Sequence, residues 1–322
     1  MRPFSLRNVR ATIRQFASAL VARGRSIEEI TSLATLVEFD AYKDGLLFFI
    51  ERNGGSPPTW LSGMAAVLLA IARHHVKLPP EEIERLRNIK GRLKVDRPGL
   101  TDKNKQRLAQ FDDPHNVQLL MRLPRRLVDR AERSSIKSSR MALDVTHAVA
   151  IEILLACPMR SGNLARLDVE RNFKWHGQGN AQTISLTIPA SEVKNGQPIE
   201  ADLSRDTTRL IRTYLKFYRH LVSDDPGDWL FPCRYGGPRT EQLAEDMSKV
   251  IYRETGLVMN AHLFRHFAGM LYLQQRPGAY EVVRRLLGHK KLDTTTSFYT
   301  DLESKWAIRH YDEVVLSKRG KS

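Results

Sequence analysis

The sequence has little cysteine and no long apolar run. Its two cysteines, Cys157 and Cys233, are too few for a disulfide framework or a four-cysteine metal cluster. No run of about 18 uncharged apolar residues is present, so no transmembrane helix is expected. The first residues, MRPFSLRNVRATIRQF, lack the apolar core and cleavage site of a secretory signal. These absences predict a protein of the reducing cytoplasm.

Negative charge is also scarce relative to positive charge. Lys and Arg number 51 against 36 Asp and Glu, which gives a net charge of +15 and a pI near 10.0. Such an excess favours a polyanionic partner, above all a nucleic acid, although solubility alone is an alternative explanation. The hydrophobic content of 42% is that of a folded globular protein, and the length of 322 residues predicts about two domains.

The N-terminal part of the chain has the pattern of helices. Apolar residues from Val9 to Val21 recur near a 3.6-residue period, and Gly24 supplies a stop. No strand-like alternation occurs up to about residue 76, so a small helical bundle is predicted. Residues from about 80 to 140 are polar and basic and are predicted to contain a linker. We place the domain boundary within this stretch, with one domain at 1–110 and the other at 111–322.

The second domain begins with a predicted buried helix, MALDVTHAVAIEILLAC, which is broken at Pro158. The stretch TISLTI then alternates and is rich in β-branched residues, and PIEADL forms a second extended run. Between them stand Asn195 and Gly196, the strongest short hairpin signal because both residues accept positive φ. A β-hairpin is therefore predicted, with Lys194 beside its turn.

Helices are predicted again after the hairpin. One starts near Asn260, one is stopped by Gly288, one has Asp293 as its N-cap, and a separate amphipathic helix runs from Ser304 to Val315. The basic tail SKRGKS is expected to be disordered. The predicted fold class is mainly α with a small β-hairpin or sheet (α+β).

Two histidines in the stretch AHLFRHFAG raise the possibility of a metal site. His262 and His266 are four residues apart, the spacing with which zinc proteases hold their ion on a helix. Leu263 stands where such a motif has its glutamate, and Arg265 would place a fixed positive charge beside the cation. A zinc hydrolase is therefore a minor alternative, and a phosphate-binding role for this stretch is favoured.

The remaining candidate catalytic residues indicate a function only through their order in the chain. Taken singly, an arginine at a helix start, a turn lysine and a helical tyrosine are all common structural residues. The C-terminal two thirds of the chain presents them in this succession: Arg160, Lys194, the H-L-F-R stretch with His262 and Arg265, L-G-H ending at His289, and Tyr299. This succession resembles the tyrosine recombinase (phage integrase) family over residues 140 to 315.

The resemblance implies a site-specific recombinase that cuts and rejoins double-stranded DNA through a covalent 3′-phosphotyrosine, without metal or other cofactor. Arg160 and Arg265 would hold the phosphate oxygens, which suits the planar, permanently charged guanidinium group. Tyr299 would be the nucleophile and Lys194 the general acid. His262 would assist proton transfer and His289 would bond the phosphate.

The resemblance also implies partners. A helical N-terminal domain would clamp DNA together with the catalytic domain, four copies would act on two duplexes, and the protein would lie with the nucleoid in the cytoplasm. A C-terminal helix could dock on its own domain or on a neighbour.

One position departs from the family pattern. Asn163 stands where an acidic residue is usual, three positions after the first arginine. An amide cannot supply a countercharge, so a DNA-binding accessory protein with reduced or no cleavage is the alternative function. A type IB topoisomerase, which uses similar tyrosine chemistry, is disfavoured by the compact size and the helical N-terminal domain.

Overall fold

A computed structural model describes the backbone of residues 3–93, 99–240 and 242–316. The chain separates into two compact units, Met1–Arg97 and Pro98–Ser322. Each unit has its own hydrophobic core.

The first unit is a bundle of helices, as predicted. Its core is built around Phe16, Tyr42 and Leu68, all fully buried. Phe16 lies directly against Gly45, where a side chain would collide with the ring. The helices are α1 (Pro3–Ala22), α2 (Leu33–Val37), α3 (Phe39–Arg52), α4 (Leu61–Ile71) and α5 (Pro80–Arg92).

The polar stretch that was predicted to contain a linker is mostly helical. It forms α5 and two helices of the second unit, α6 (Asp102–Ala109) and α7 (Pro114–Arg133). The charges that suggested a linker lie on one side of α7, while the leucines on its other side are buried. The two units divide after Arg97, among residues outside the described part. Leu108 and Phe111 belong to the second core, which is why α6 does not join the first unit.

The second unit is organised around one buried helix. This helix, α8, packs against α7, α10 and α11, and its residues from Val145 to Leu154 are almost all buried. It ends before Pro158, as predicted. The helices are α8 (Ser139–Ala156), α9 (Ser161–Leu164), α10 (Arg205–Phe217), α11 (Gln242–Thr255), α12 (Leu263–Gln275), α13 (Tyr280–Leu287) and α14 (Leu292–Val314).

A small antiparallel sheet carries the loop with Lys194. Its strands are β1 (Phe173–His176), β2 (Thr183–Ile188) and β3 (Ile199–Leu203), in the order β1-β2-β3. The pairing of β2 with β3 is confirmed, and β1, a strand of four residues, escaped prediction because so short a run has no clear alternation.

The predicted hairpin is present, but its turn extends beyond Asn195 and Gly196. Residues 189–198 form a longer loop, in which Gly196 has a positive φ of 67° and Asn195 does not. The Asn195 side chain is used in tertiary hydrogen bonds instead.

The C-terminal region also differs from prediction. One continuous helix, α14, replaces the two that were expected, because no glycine or proline interrupts the chain from Leu292 to Val314. Its N-cap is Lys291, and Asp293 lies in the first turn, where a negative charge favours the helix dipole. The tail from residue 317 lies outside the described residues. Among the described helices, none is long and apolar enough to cross a membrane.

Phe111 should be essential to the core of the second unit. The ring is 2% exposed and its centroid lies 4.5 Å from that of Phe267. Phe111→Ala should lower the free energy of unfolding of this unit by about 3–5 kcal/mol. Hydrogen exchange in urea should show earlier opening of α12 but not of α3. Met121→Ala, at a residue that is 46% exposed, is the control; an equal loss there would contradict the assignment.

Candidate active site

Two of the predicted site residues, Arg160 and Arg265, line one cleft of the second unit. The cleft has a volume of about 270 Å³ and lies among the Cys157–Arg160 segment, the β2–β3 loop and the end of α13. Arg160 is the residue before α9, and Arg265 lies in the first turn of α12. The break at Pro158, after the central helix, thus places Arg160 in the same cleft as Arg265, which lies more than 100 residues later in the sequence.

Arg265 is held by main-chain carbonyl groups. Its Nη1 donates to the oxygen of Pro158 at 2.9 Å, and its Nη2 donates to the oxygen of Leu287. The side chain is buried, and its pKa is lowered to about 10 by the loss of hydration and by the charge of Arg160. It therefore remains charged at neutral pH, and three of its five N–H groups are not used by these bonds.

Arg160 is half-buried and is held by an amide. Its Nη1 donates to Oδ1 of Asn195 at 3.2 Å. Among the side chains that the structure describes, no carboxylate forms an ion pair with Arg160 or Arg265, although Glu200 lines the same cleft. Asn163, at the position where the resemblance led us to expect an acidic residue, has its Nδ2 buried without a hydrogen-bond partner. The cleft therefore contains two cations that are not neutralised by a paired anion.

His289 lies at the end of α13. Gly288 takes a left-handed conformation with φ of 60°, and the amide of His289 bonds back to Arg284, which closes the helix in a Schellman motif. Nδ1 of His289 is 2.9 Å from the hydroxyl oxygen of the buried Thr295. Partial burial and the nearby charges of Arg265 and Arg160 lower the pKa of His289 to about 4, so it is neutral at pH 7.

His262, the N-cap of α12, and His266, in its first turn, contact each other edge to face. Their ring centroids are 4.9 Å apart. His262 is exposed, and its pKa is lowered by loss of hydration and by the charges of Arg265 and Arg160. His266 is buried against Phe298 and Tyr299, and its pKa is lowered to about 3, mainly by that burial. Among the described residues, no three His, Cys, Asp or Glu side chains are grouped as metal ligands.

The side chain of Tyr299 is buried. Its side chain is 0% exposed, its hydroxyl has no hydrogen-bond partner, and it lies so close to Gly269 that a Cβ there would overlap it. Burial raises the pKa of Tyr299, and the nearby charge of Arg265 opposes that rise. The hydroxyl does not line the cleft of the two arginines. The phenol is therefore protonated in this conformation.

Lys194 is the sixth predicted site residue. It is exposed on the β2–β3 loop and does not line the cleft, whereas its neighbour Asn195 does. All six residues were predicted from sequence patterns. In the structure, five of them lie near the N-terminal half of α12: Arg160, Arg265, His262, His289 and Tyr299.

Comparison with known proteins identifies the family. The phage integrase family model matches residues 125–305, which is more than half of the chain and includes all six positions. The chain belongs to the phage integrase family. The curated relatives include tyrosine recombinase XerC of Xylella fastidiosa strains M23 and Temecula1, each 34% identical over 86 residues. This match covers 26% of the chain and only 28% of the length of those relatives.

Solved recombinase structures are similar at lower identity. XerH bound to its difH substrate in a pre-cleavage complex is 15% identical with a TM-score of 0.42, covering 92% of this chain and 96% of that one. XerA recombinase is 13% identical with a TM-score of 0.41, covering 98% and 100%.

In this member of the phage integrase family, three residues near the candidate site were not predicted. They are Asn195, which bonds Arg160; Thr295, which bonds His289; and Gly269, which accommodates Tyr299. The sequence predicted only a turn at Asn195. It gave no indication of a role for Gly269, because glycine is common within helices. Each acts through a contact between segments that are distant in sequence.

Adding a methyl group at Gly269 should disturb the packing of the buried Tyr299 side chain. Gly269→Ala should lower the free energy of unfolding by about 1–3 kcal/mol, because the new Cβ overlaps the Tyr299 hydroxyl. Gly162→Ala, in α9, where nothing lies within 4 Å of a Cβ, is the matched control and should be neutral or stabilising. Urea unfolding measures both. Equal effects in the two variants would contradict the close contact.

Acidification should weaken the fold through the site histidines. The pKa values of His266 and His289 are about 3 and about 4, against 6.5 for an unperturbed imidazole. The unfolded chain therefore binds more protons between pH 6.5 and about 4, so the free energy of unfolding falls as the pH falls through this window. Urea midpoints across the window measure the slope, which His266→Gln should make shallower. An unchanged slope would argue against a neutral His266.

Proposed function

We propose that this protein is a site-specific DNA recombinase that cuts and rejoins strands through a covalent 3′-phosphotyrosine. The observation that carries the proposal is the cleft in which Arg160 and Arg265 lie together without a paired carboxylate. Burial lowers the pKa of Arg265, and the neighbouring charge of Arg160 lowers it further. A bound phosphodiester would relieve the repulsion between the two cations. The family assignment supports DNA as the source of the phosphodiester.

The two arginines would stabilise the charge that develops on phosphorus. As a nucleophile attacks, negative charge accumulates on the two non-bridging oxygens of a trigonal-bipyramidal transition state. Guanidinium groups can bond those oxygens through two N–H groups at once, and both arginines retain N–H groups for this purpose. In this proposal they supply the charge stabilisation that other phosphoryl-transfer enzymes obtain from metal ions.

Tyr299 is the proposed nucleophile. Its oxygen attacks phosphorus, the bond from phosphorus to the 5′-oxygen breaks, and a 3′-phosphotyrosine forms; attack by a 5′-hydroxyl of another strand reverses these steps. Cys157 also lines the cleft, but burial raises the pKa of its thiol to about 11, so it is not a thiolate at neutral pH. Because the Tyr299 hydroxyl is buried against Gly269, it must move into the cleft before attack.

The histidines suit proton transfer and hydrogen bonding. A neutral imidazole can accept a proton, and the lowered pKa of His262 keeps it neutral near Arg160 and Arg265. We assign it the proton that leaves Tyr299. His289 is neutral for the same reason, and with Nδ1 accepting from Thr295 its other nitrogen would carry the proton that bonds a phosphate oxygen.

Lys194 is the proposed general acid for the 5′-oxygen. Its exposure on the β2–β3 loop means that it must approach the cleft when DNA binds. The net charge of +15 supports binding to the DNA backbone, which should weaken steeply as salt rises. We further propose that the first unit helps to clamp the duplex and that four copies act on two sites.

The decisive experiment is covalent trapping. A binding site would be selected from a random-sequence duplex library and then nicked near the cleavage position, so that the short cleaved fragment diffuses away. The wild-type protein should form an adduct that survives SDS, and Tyr299→Phe should lose it entirely, because the phenyl ring has no attacking oxygen. Denaturing electrophoresis with labelled DNA measures the yield, with and without EDTA.

Each other outcome has a clear meaning. Binding to the selected DNA without any adduct would favour the accessory protein, for which Asn163 is the supporting feature. An adduct retained by Tyr299→Phe would assign the nucleophile elsewhere. Loss of the adduct with EDTA would contradict a metal-independent reaction, and relaxation of supercoiled DNA without strand exchange would favour topoisomerase activity.

A further inference from the structure

We propose that Asn195 is a positioning residue that holds Arg160 in the cleft and ties the Lys194 loop to the segment before His289. This inference rests on the function proposed above. It assigns a role to a residue that sequence patterns explain only as part of a turn.

Both ends of the Asn195 amide are engaged by distant segments. Oδ1 accepts a hydrogen bond from Nη1 of Arg160 at 3.2 Å, and Nδ2 donates to the main-chain oxygen of Gly288. The partners lie 35 and 93 residues away in sequence. The orientation of the amide follows from chemistry, since a guanidinium group can only donate and a carbonyl oxygen can only accept. A flipped amide would lose both bonds.

Arg160 depends on this amide because other partners are missing. Among the described side chains, no carboxylate pairs with Arg160, and Asn195 is the only side chain that accepts a hydrogen bond from it. Asn163, which stands at the usual acidic position, has an amide group without a partner. An amide orients the guanidinium group but does not neutralise it. The full positive charge therefore remains available to a phosphate.

The same amide connects the loop to the end of α13. Gly288 closes α13 in a left-handed conformation, and its oxygen accepts from Asn195 while the next residue, His289, lies beside Thr295. Lys194, which precedes Asn195, forms no side-chain hydrogen bond or ion pair with any residue described here. The bonds of Asn195 therefore hold the backbone from which the Lys194 side chain would approach the cleft. One side chain couples three parts of the proposed site.

The test compares a charged with a neutral phosphate. Asn195→Ala should reduce adduct formation on the selected nicked duplex by about tenfold to 100-fold, the range expected for losing one hydrogen bond to a charged group. The second substrate carries a methylphosphonate at the scissile position, where a methyl group replaces one charged oxygen. Cleavage of this neutral substrate depends less on the charge of Arg160, so Asn195→Ala should reduce it much less.

The matched control is Gln178→Ala, which removes an exposed amide from the loop between β1 and β2 of the same sheet. It should leave both substrates unaffected. Hydrogen exchange supplies a measurement that does not need activity. Asn195→Ala should speed exchange in residues 189–198 and at His289, and should leave the paired amides of β1 and β2 unchanged. Thermal unfolding checks that each variant is folded.

The outcomes separate this inference from the proposed function. If the wild-type protein forms no adduct, the proposed function fails, and the inference with it. If the wild type is active but Asn195→Ala reduces cleavage of both substrates equally, or of neither, the positioning role is overturned while the recombinase proposal stands. Unchanged exchange in residues 189–198 would likewise show that Asn195 does not anchor the loop.

Discussion

The buried guanidinium group of Arg265 is the interaction on which the candidate site depends. It joins the carbonyl oxygens of Pro158 and Leu287, and so holds the end of the central helix α8 against the end of α13. A buried cation costs much free energy unless it is hydrogen-bonded. These two carbonyl groups meet part of that requirement without cancelling the charge. The same side chain therefore joins two segments of the fold and keeps a positive charge in the cleft.

That charge shapes the neighbouring groups. The pKa values of His262 and His289 are lowered first by loss of hydration and then by the charge of Arg265. The same charge opposes the rise in pKa that burial causes at Tyr299. The histidines are thus neutral, and the tyrosine is protonated and buried against Gly269. In the proposed function, this is a resting arrangement in which the phosphate site is formed but the nucleophile is withheld. A nucleophile kept away from an exposed cationic cleft cannot react with unselected phosphates.

The site is assembled from segments that are far apart in sequence, and hydrogen bonds between them replace an expected ion pair. Asn163 supplies no countercharge, and Asn195 holds Arg160 instead. The β2–β3 loop is longer than a tight hairpin, which allows its residues to reach the end of α13. Sequence comparison with the phage integrase family places the matched region at residues 125–305, the part of the chain that carries all of these contacts.

The helical character, the β2–β3 pairing and the order of the six candidate residues could be predicted from the sequence, because periodicity and spacing can be read along the chain. Prediction from the sequence failed where an element was short or where the burial of one side of a helix had to be known. β1 is too short, the polar stretch before α8 is helical because one side of α7 is buried, and α14 continues past the predicted break. The folded structure was needed to show that Asn195 bonds Arg160, that Tyr299 is buried against Gly269 and that Lys194 does not line the cleft. These facts depend on the packing of distant segments, which no local pattern encodes.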